Sequence, residues 1–257
     1  MRSVKFLALP VLLSTVINAQ AATSEWTETP GGKVRVILED TKSGEEQRGA
    51  LQITLNPGWK TYWRNPGDAG VPPQITIEGD ASAHIDYPAP VYFGASDEGG
   101  IGYKQSVSLP LTFTSKPGDD RLKGNVFLGV CDKICIPVQA QFDFPLSEAT
   151  DQSPQAIATR TIIETAFDRL PAPASADFGV KSVKRIDNKA VFELALPDQT
   201  TPAEFFIGSE QLNLSVPKPE GQSQFSAMLH GEAKKGAEID YTLVQNGKAV
   251  SGQIQLD

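Results

Sequence analysis

Between residues 33 and 144, apolar and polar residues alternate along the chain with a period of two. The runs KVRVIL, ALQITL, SVSLPLTFT and IPVQAQFDF show this alternation most clearly, and clusters rich in glycine and proline, such as Asn65-Pro66-Gly67, separate such runs. Alternation of period two is typical of β-strands that bury one face, and the clusters are typical of turns. The pattern therefore predicts roughly six to eight short strands that form an antiparallel sandwich.

The segment after this region has the pattern of a helix. Ser153 suits the N-cap position and Pro154 the first helical position, while Ile163 and Phe167 fall on one helical face before Pro171 ends the pattern. The residues PAPASA at 171–176 then predict a short, stiff linker.

Beyond this linker, the alternation of period two resumes. Runs such as AVFELAL, AEFFIG and IDYTLV predict further strands, and Asn246-Gly247 predicts a tight hairpin turn between the last two. The C-terminal part is therefore predicted to form a second, smaller domain that resembles a β-sandwich.

The first 21 residues have the features of an export signal. Two basic residues precede an apolar run over residues 6–17, and Ala19 and Ala21 match the small-x-small pattern of a cleavage site. The run is too short for a membrane anchor. We therefore expect cleavage after Ala21 and a soluble protein in the periplasm.

The predicted organisation is mainly β and has four segments. They are a signal peptide over residues 1–21, a β-sandwich with the cysteine pair over residues 22–150, a helix and linker over residues 151–176, and a second β domain over residues 177–257.

The charge of the chain limits the possible partners. The formal net charge is −8, and removal of the two basic residues of the signal peptide would bring it near −10. An acidic chain without basic patches is unsuited to bind nucleic acid or anionic lipid. We therefore expect no binding of nucleic acid or of anionic lipid. Because no segment after the signal peptide approaches eighteen uncharged apolar residues, we also expect no membrane insertion.

The only two cysteines of the chain, Cys131 and Cys135, lie in the segment LGVCDKICIP. Along one straight strand their Cα atoms would lie about 13 Å apart, beyond the limit of about 7 Å for a disulfide. A helix would bring them closer, but Pro137 and the β-branched residues around the pair disfavour a helix. The segment therefore predicts a hairpin with residues 132–134 as its loop, which places the two thiols opposite each other.

A disulfide across this hairpin would be a weak brace for the fold. In the chain-entropy model, closing a loop of about five residues stabilises a fold by about 2 kcal/mol, against about 4.7 kcal/mol for a loop of about 100 residues. Short loops can also carry strain that raises the reduction potential, which favours a redox role. Two alternatives stay open, namely a structural disulfide and Cu(I) binding by the two thiolates, although Met228, His84 and His230 lie far from the pair in sequence.

A second unusual segment, GWKTYWRNPGDAGVPP at residues 58–73, contains three aromatic side chains. By composition alone it predicts a strand that packs beneath a loop rich in proline and glycine. The segment also closely resembles the signature of the periplasmic N-terminal domain of the DsbD and ScsB thiol-disulfide interchange family. The motifs YPAPVYF, GIGYKQSVSLPL and LGVCDKICIP follow in the order expected of that family. The resemblance covers residues 29–146, and the cysteine spacing is more similar to the ScsB branch.

The resemblance implies an immunoglobulin-like sandwich whose cysteine pair exchanges electrons with thioredoxin-like partners and needs no cofactor. In this family the second cysteine of the pair forms the mixed disulfide with the partner. The resemblance therefore implies this role for Cys135 and the resolving role for Cys131. It also implies supporting roles for the signature residues Trp59, Tyr62, Trp63, Arg64 and Asn65.

The resemblance further implies a cap loop that shields the thiols, and residues 96–104 correspond to this loop. The stretch keeps the acidic residues Asp97 and Glu98, whereas glycines stand near the aromatic positions of the DsbD cap. Tyr103, together with Ile101, is the expected shield. The three glycines predict either a mobile lid or an ordinary flexible surface loop.

The resemblance also guides the expected function. Relatives in both branches continue into a membrane electron carrier and a thioredoxin-like domain, whereas this sequence continues into a second β domain. We therefore expect a stand-alone thiol-disulfide oxidoreductase of the protein-disulfide reductase type, without cofactor or metal. It would relay electrons between a membrane or thioredoxin-like partner and exported thiol proteins, in copper tolerance or cytochrome c maturation. The alternatives are a non-catalytic adaptor with a structural disulfide and a copper-handling protein.

Overall fold

The computed structural model describes residues 22–39, 46–67, 70–94, 100–146, 153–232 and 235–257, so the predicted signal peptide lies outside the described residues. Two β-sandwiches follow each other along the chain, and a helix separates them in sequence. Each sandwich has its own large cluster of buried apolar side chains. The mainly β architecture that the alternating pattern predicts is confirmed.

The first sandwich consists of two antiparallel sheets. Its strands are β1 (Thr27–Thr29), β2 (Gly32–Leu38), β3 (Glu46–Leu55), β4 (Lys60–Tyr62), β5 (Gln74–Ile77), β6 (Ser82–Ile85), β7 (Val91–Phe93), β8 (Gly100–Tyr103), β9 (Val107–Thr114), β10 (Arg121–Cys131) and β11 (Cys135–Pro145). One sheet has the order β1-β2-β3-β9-β6, and the other has the order β11-β10-β4-β8-β7, with β5 paired to β10.

The core of the first sandwich lies between these two sheets. Successive side chains of a strand point to opposite faces, so alternate residues of β10 enter the core. Val126, Leu128 and Val130 are buried there, whereas Phe127 faces outward. Trp63, directly after β4, is fully buried in the same core. The alternation read from the sequence therefore arises from burial of one face of each long strand.

The helix α1 (Pro154–Asp168) covers the outer face of the sheet that contains β2 and β3. The Ser153 side chain accepts a hydrogen bond of 3.2 Å from the backbone N–H of Ala156, and Pro154 occupies the first turn. The predicted start of the helix is thus confirmed. Ile163 and Ala166 pack against Ile37 of β2 and Ala50 of β3. The helix is therefore packed on the first sandwich.

The segment PAPASA differs from the predicted stiff linker. Its residues Ala172–Pro173 form a short strand, β12, which pairs in parallel with the last strand of the second sandwich. β12 lies at the edge of its sheet, where proline is tolerated because its missing N–H is not needed there. The proline-rich residues therefore belong to the second sandwich.

The second sandwich contains two further sheets. Its remaining strands are β13 (Gly179–Ile186), β14 (Lys189–Ala195), β15 (Glu204–Gly208), β16 (Asn213–Leu214), β17 (Lys218–Pro219), β18 (Gln224–His230), β19 (Glu238–Gln245) and β20 (Lys248–Gln255). The sheet orders are β12-β20-β19-β15 and β13-β14-β18-β16, with β17 paired to β18. Asn246 and Gly247 join β19 to β20 with φ angles of 52° and 71°, as the predicted hairpin turn requires.

Candidate redox site

The cysteine pair closes a hairpin between β10 and β11. Cys131 and Cys135 are directly opposite each other in the strand register, and they form a disulfide. Their Cα atoms lie 4.1 Å apart. Residues 132–134 form the turn and are exposed, with Ile134 exposed to 70%. The hairpin predicted from the spacing of the two cysteines is confirmed.

The disulfide lies on the outer face of its sheet. Because Val130 points into the core, the next residue, Cys131, points away from it. Cys135, Pro137 and Gln139 of β11 are exposed on the same face. The strand pattern therefore places the sulfur atoms at the surface of the sandwich, next to the exposed turn.

The two sulfur atoms nevertheless have different surroundings. Cys131 is only 1% exposed, because it packs in a cluster with the aromatic side chains of Tyr62 in β4 and Phe93 in β7. We call Tyr62, Phe93 and Cys131 the disulfide cluster. The two rings meet edge to face with their centroids 5.6 Å apart, and the Lys60 ammonium lies 5.0 Å from the Phe93 centroid. Cys135, by contrast, is exposed.

Tyr62 also contacts the exposed sulfur. Its hydroxyl oxygen lies 3.5 Å from Cys135 Sγ. Burial raises the pKa of Tyr62, so the phenol keeps its proton at neutral pH. In the reduced protein this O–H can donate a hydrogen bond to a Cys135 thiolate, which favours the nucleophilic form. The site thus combines an accessible sulfur with a neighbouring proton donor.

Two glycines of the predicted lid make room for close neighbours, Gly100 for aromatic rings and Gly102 for the backbone of β4. Gly100 and Gly102 lie within β8, which pairs with β4 and β7. A Cβ atom on Gly100 would collide with the Phe93 ring and lie 3.0 Å from Cε1 of Tyr62. In the described part of the predicted cap, these glycines therefore serve close packing.

The structure puts the predicted shielding residues in different places. Ile101 and Tyr103 lie in the core of the first sandwich, on the opposite face of β8 from the disulfide cluster. Tyr103 donates a hydrogen bond of 2.9 Å to the Pro88 carbonyl. Neither residue therefore covers the cysteine pair, and the residues that cover Cys131 are Tyr62 and Phe93. The predicted cap residues Asp97 and Glu98 lie outside the described residues.

The signature residues divide between two regions. Tyr62 contacts Cys135, whereas Trp59 lies against Gly31 at the edge of the first core. The other three signature residues contact the second sandwich: the Trp63 ring lies 6.2 Å from that of Phe206, Arg64 forms an ion pair of 2.7 Å with Asp240, and Asn65 donates a hydrogen bond of 2.9 Å to the Ile207 carbonyl. The signature therefore connects the disulfide to the junction between the two sandwiches.

Phe93 is the residue of this site that the sequence analysis did not identify. It lies in YPAPVYF, a motif that we noted only as part of the family resemblance. The run of β-branched and aromatic residues Val91, Tyr92 and Phe93 after a proline-rich stretch is a weak strand signal that could have indicated it. The contact with Cys131 depends on long-range pairing of β7, β8 and β4, which no local pattern reveals.

Comparisons with known proteins agree with this geometry. Residues 33–147 match the family described as thiol:disulfide interchange protein DsbD, N-terminal. The crystal structure of the N-terminal periplasmic domain of ScsB from Proteus mirabilis is similar over 92% of this chain and 98% of its own, with a TM-score of 0.71 and 20% sequence identity. At this identity the likeness shows the fold, and its coverage includes both sandwiches.

Two further solved structures are similar with much lower TM-scores. The titin Ig tandem domains A164-A165 are 13% identical over 93% of this chain and 97% of theirs, with a TM-score of 0.21. The human desmocollin-1 ectodomain is 8% identical over 82% of this chain and 44% of its own, with a TM-score of 0.23. We draw no conclusion from likenesses with such low TM-scores. No curated protein matches the sequence significantly. The motifs, the matched residues and the fold agree: residues 33–147, which contain the first sandwich from β2 onward and the cysteine pair, match the family of DsbD N-terminal domains, and the chain has the fold of the ScsB N-terminal periplasmic domain.

Proposed function

We propose that this chain exchanges thiols and disulfides with protein partners through Cys135. The observation that carries this proposal is the unequal exposure of the two sulfur atoms. Cys135 is exposed beside the Tyr62 hydroxyl, whereas Cys131 is 1% exposed beneath two aromatic rings. Attack by a partner thiolate depends on access to the sulfur. A macromolecular partner therefore reaches Cys135 and not Cys131.

The exchange with a reducing partner proceeds in two steps. A thiolate of a dithiol protein attacks Cys135 Sγ, the bond between Cys131 and Cys135 breaks, and Cys131 leaves as a thiolate that then takes up a proton. The second thiol of the partner next loses its proton and attacks the partner's own sulfur in the mixed disulfide, which releases Cys135. Two electrons and two protons pass in total from the partner dithiol to the cysteine pair.

Transfer to an oxidised protein reverses these steps. The Cys135 thiolate, with Tyr62 as hydrogen-bond donor, attacks the disulfide of an exported protein and forms a mixed disulfide. Cys131 then attacks Cys135 Sγ and releases the reduced product, which restores the intramolecular disulfide. We infer a relay between a membrane or thioredoxin-like electron donor and exported thiol proteins, and copper tolerance or cytochrome c maturation as its setting. The protein groups alone supply this chemistry.

The periplasm is the compartment that we propose for this reaction. The sequence of residues 1–21 predicts a cleaved export signal, and the similar ScsB domain is described as periplasmic. Among the described residues, no helix has the length and apolar character needed to cross a membrane. A compartment outside the reducing cytosol also allows a disulfide to form.

The geometry favours interchange over the alternatives. A purely structural disulfide would close a loop of only about five residues and contribute about 2 kcal/mol, although the first sandwich already has a large apolar core. For a copper-handling role, the described residues contain no group of three or more His, Cys, Asp or Glu side chains that could hold a metal ion. Besides the unequal exposure of the two sulfur atoms, the contact between Tyr62 and the exposed sulfur is a feature that a redox role explains and a brace does not.

Trapping of mixed disulfides tests this proposal. In the Cys131→Ser variant the resolving thiol is missing, so partner adducts through Cys135 should accumulate when the variant is expressed in its own host. These adducts should disappear on treatment with a reductant. Mass spectrometry of the adducts identifies the partners and the cysteine that holds them.

The Cys135→Ser variant is the matched control because it also keeps a single cysteine. Its Cys131 is covered by Tyr62 and Phe93. Because a partner protein has less access to this sulfur than to Cys135, we expect about tenfold fewer adducts. Equal trapping by both variants, or no adduct from either, would contradict the proposal.

A further inference from the structure

An aromatic side chain of the second sandwich completes the core of the first. Phe206 in β15 is fully buried, and its ring lies 4.5 Å from that of Tyr92 and 6.2 Å from that of Trp63. Its neighbour Phe205 points the other way and lies in the core of the second sandwich. One short strand therefore contributes to both cores, and this fixes the two sandwiches against each other.

Tyr92 joins this junction to the disulfide. Its hydroxyl donates a hydrogen bond of 2.6 Å to the Phe205 carbonyl, and its ring stacks on Phe206. The next residue of β7, Phe93, points to the opposite face and belongs to the disulfide cluster with Cys131. The same three-residue strand thus contacts the second sandwich through one side chain and the cysteine pair through the next.

β7 has little other support within the described structure. It contains three residues and lies at the edge of its sheet, where β8 is its paired neighbour. A short edge strand has few backbone hydrogen bonds, so its position depends strongly on side-chain contacts. Tyr92, with its hydrogen bond and its stacked ring, provides such contacts. Loss of these contacts would leave Phe93 free to move away from Cys131.

We propose that the second sandwich controls the exchange rate of the Cys131–Cys135 disulfide by holding β7, with Tyr92 as the positioning residue. This inference rests on the proposed exchange at Cys135. Attack at Cys135 expels Cys131 as a thiolate, and the apolar side chains of the disulfide cluster disfavour a thiolate at that position. While Phe93 stays in place, small thiols reduce the pair slowly. The second sandwich thereby slows reduction of the cysteine pair by small thiols.

Reduction kinetics of the full two-sandwich protein test this inference. The variants Tyr92→Ala and Phe206→Ala should be reduced by dithiothreitol about three- to tenfold faster than the wild type, because water reaches the departing Cys131 and a better-stabilised thiolate leaves faster. Tyr92→Phe keeps the stacked ring and loses only the hydrogen bond, so it should be about twofold faster. In the reduced variants, the pH profile of thiol alkylation should move to lower pH, a change that lower stability alone would not cause.

The Asp240→Asn variant is the matched control. It removes the ion pair with Arg64 across the same junction and leaves β7 untouched. Its reduction rate should stay within about 1.5-fold of the wild type, since solvent still cannot reach Cys131. Wild-type rates in all folded Tyr92 and Phe206 variants would overturn the inference, as would equal acceleration in Asp240→Asn. If the alanine variants do not fold, the reduction rate of Tyr92→Phe tests the inference.

The same data separate this inference from the proposed function. If the Tyr92 and Phe206 variants are reduced at the wild-type rate but Cys131→Ser still forms partner adducts, only the control by the second sandwich is contradicted. If Cys131→Ser forms no adducts but the variants are reduced faster as expected, the exchange with protein partners is contradicted. The effect of β7 on the reduction rate of the disulfide is then still supported.

Discussion

The Trp63→Ala variant is expected to lose about 3–5 kcal/mol of unfolding free energy, the usual loss when a buried tryptophan is truncated. Trp63 is fully buried, and its ring contacts Tyr87 in the first sandwich and Phe206 in the second, with centroid distances of 6.2 Å to each. Truncation leaves a cavity that both sandwiches line. Urea denaturation, followed by circular dichroism, measures the loss.

Trp26→Ala is the control for loss of a tryptophan. Trp26 is only partly buried, and its ring lies under the cationic side chains of Lys33 and Arg35. Each of these two contacts contributes about 0.5–1 kcal/mol at exposed sites, so the control should lose no more than about 2 kcal/mol. If both variants lose the same free energy, the central position that the structure gives Trp63 is incorrect.

The Gly102→Ala variant should lose about 3 kcal/mol or more of unfolding free energy, because it forces two paired strands apart. Gly102 pairs with Tyr62 of β4 and with Val91 of β7. A Cβ atom there would collide with the Thr61 carbonyl oxygen and lie 2.7 Å from the Tyr62 Cα atom. Backbone atoms cannot rotate away as a side chain can. The displacement also moves Tyr62, so faster reduction by dithiothreitol should accompany the loss of stability.

Gly221→Ala provides the comparison for this substitution. A Cβ atom on Gly221 would meet no atom within 4 Å. Its unfolding free energy should therefore stay within about 0.5 kcal/mol of the wild type, as for most surface substitutions. Comparable stability of the two alanine variants would contradict the close pairing of β4 and β8.

Much of the fold could be predicted from the sequence because its long strands bury one face. β9 has eight residues and β11 has eleven, and the alternating runs SVSLPLTFT and IPVQAQFDF that predict them agree with the structure. The strands β4, β7 and β8 have only three or four residues each, which is too short for a period to be recognised. Of these, β4 and β7 carry the rings that cover Cys131, so the surroundings of the disulfide could not be predicted in the same way.

The contact between the two sandwiches illustrates a second limit. Phe205 and Phe206 are adjacent and both fully buried, so β15 is buried on both faces. The continuous apolar run from Phe205 to Ile207 is the sequence sign of this burial. The sequence does not show what covers each face, because Trp63 and Tyr92 lie more than a hundred residues earlier in the chain. Long-range packing alone reveals that the signature segment contacts the second sandwich.

The cysteine pair illustrates what spacing can and cannot predict. Three intervening residues and the neighbouring strand pattern were sufficient to predict a hairpin with the two thiols opposite each other. The difference in exposure between Cys131 and Cys135 depends on Tyr62 and Phe93, which come from other parts of the chain. Reactivity therefore follows from tertiary packing around a locally determined hairpin.

The reduction potential of the Cys131–Cys135 disulfide tests the central claim most directly. The wild-type protein is equilibrated in glutathione buffers of known potential, and the reduced fraction is measured by thiol alkylation. Exposure of Cys135 and its contact with Tyr62 stabilise the reduced form, so we expect a potential between about −180 and −270 mV, the range of thiol-exchange proteins. A potential below about −300 mV, which is typical of structural disulfides, would contradict a role in exchange.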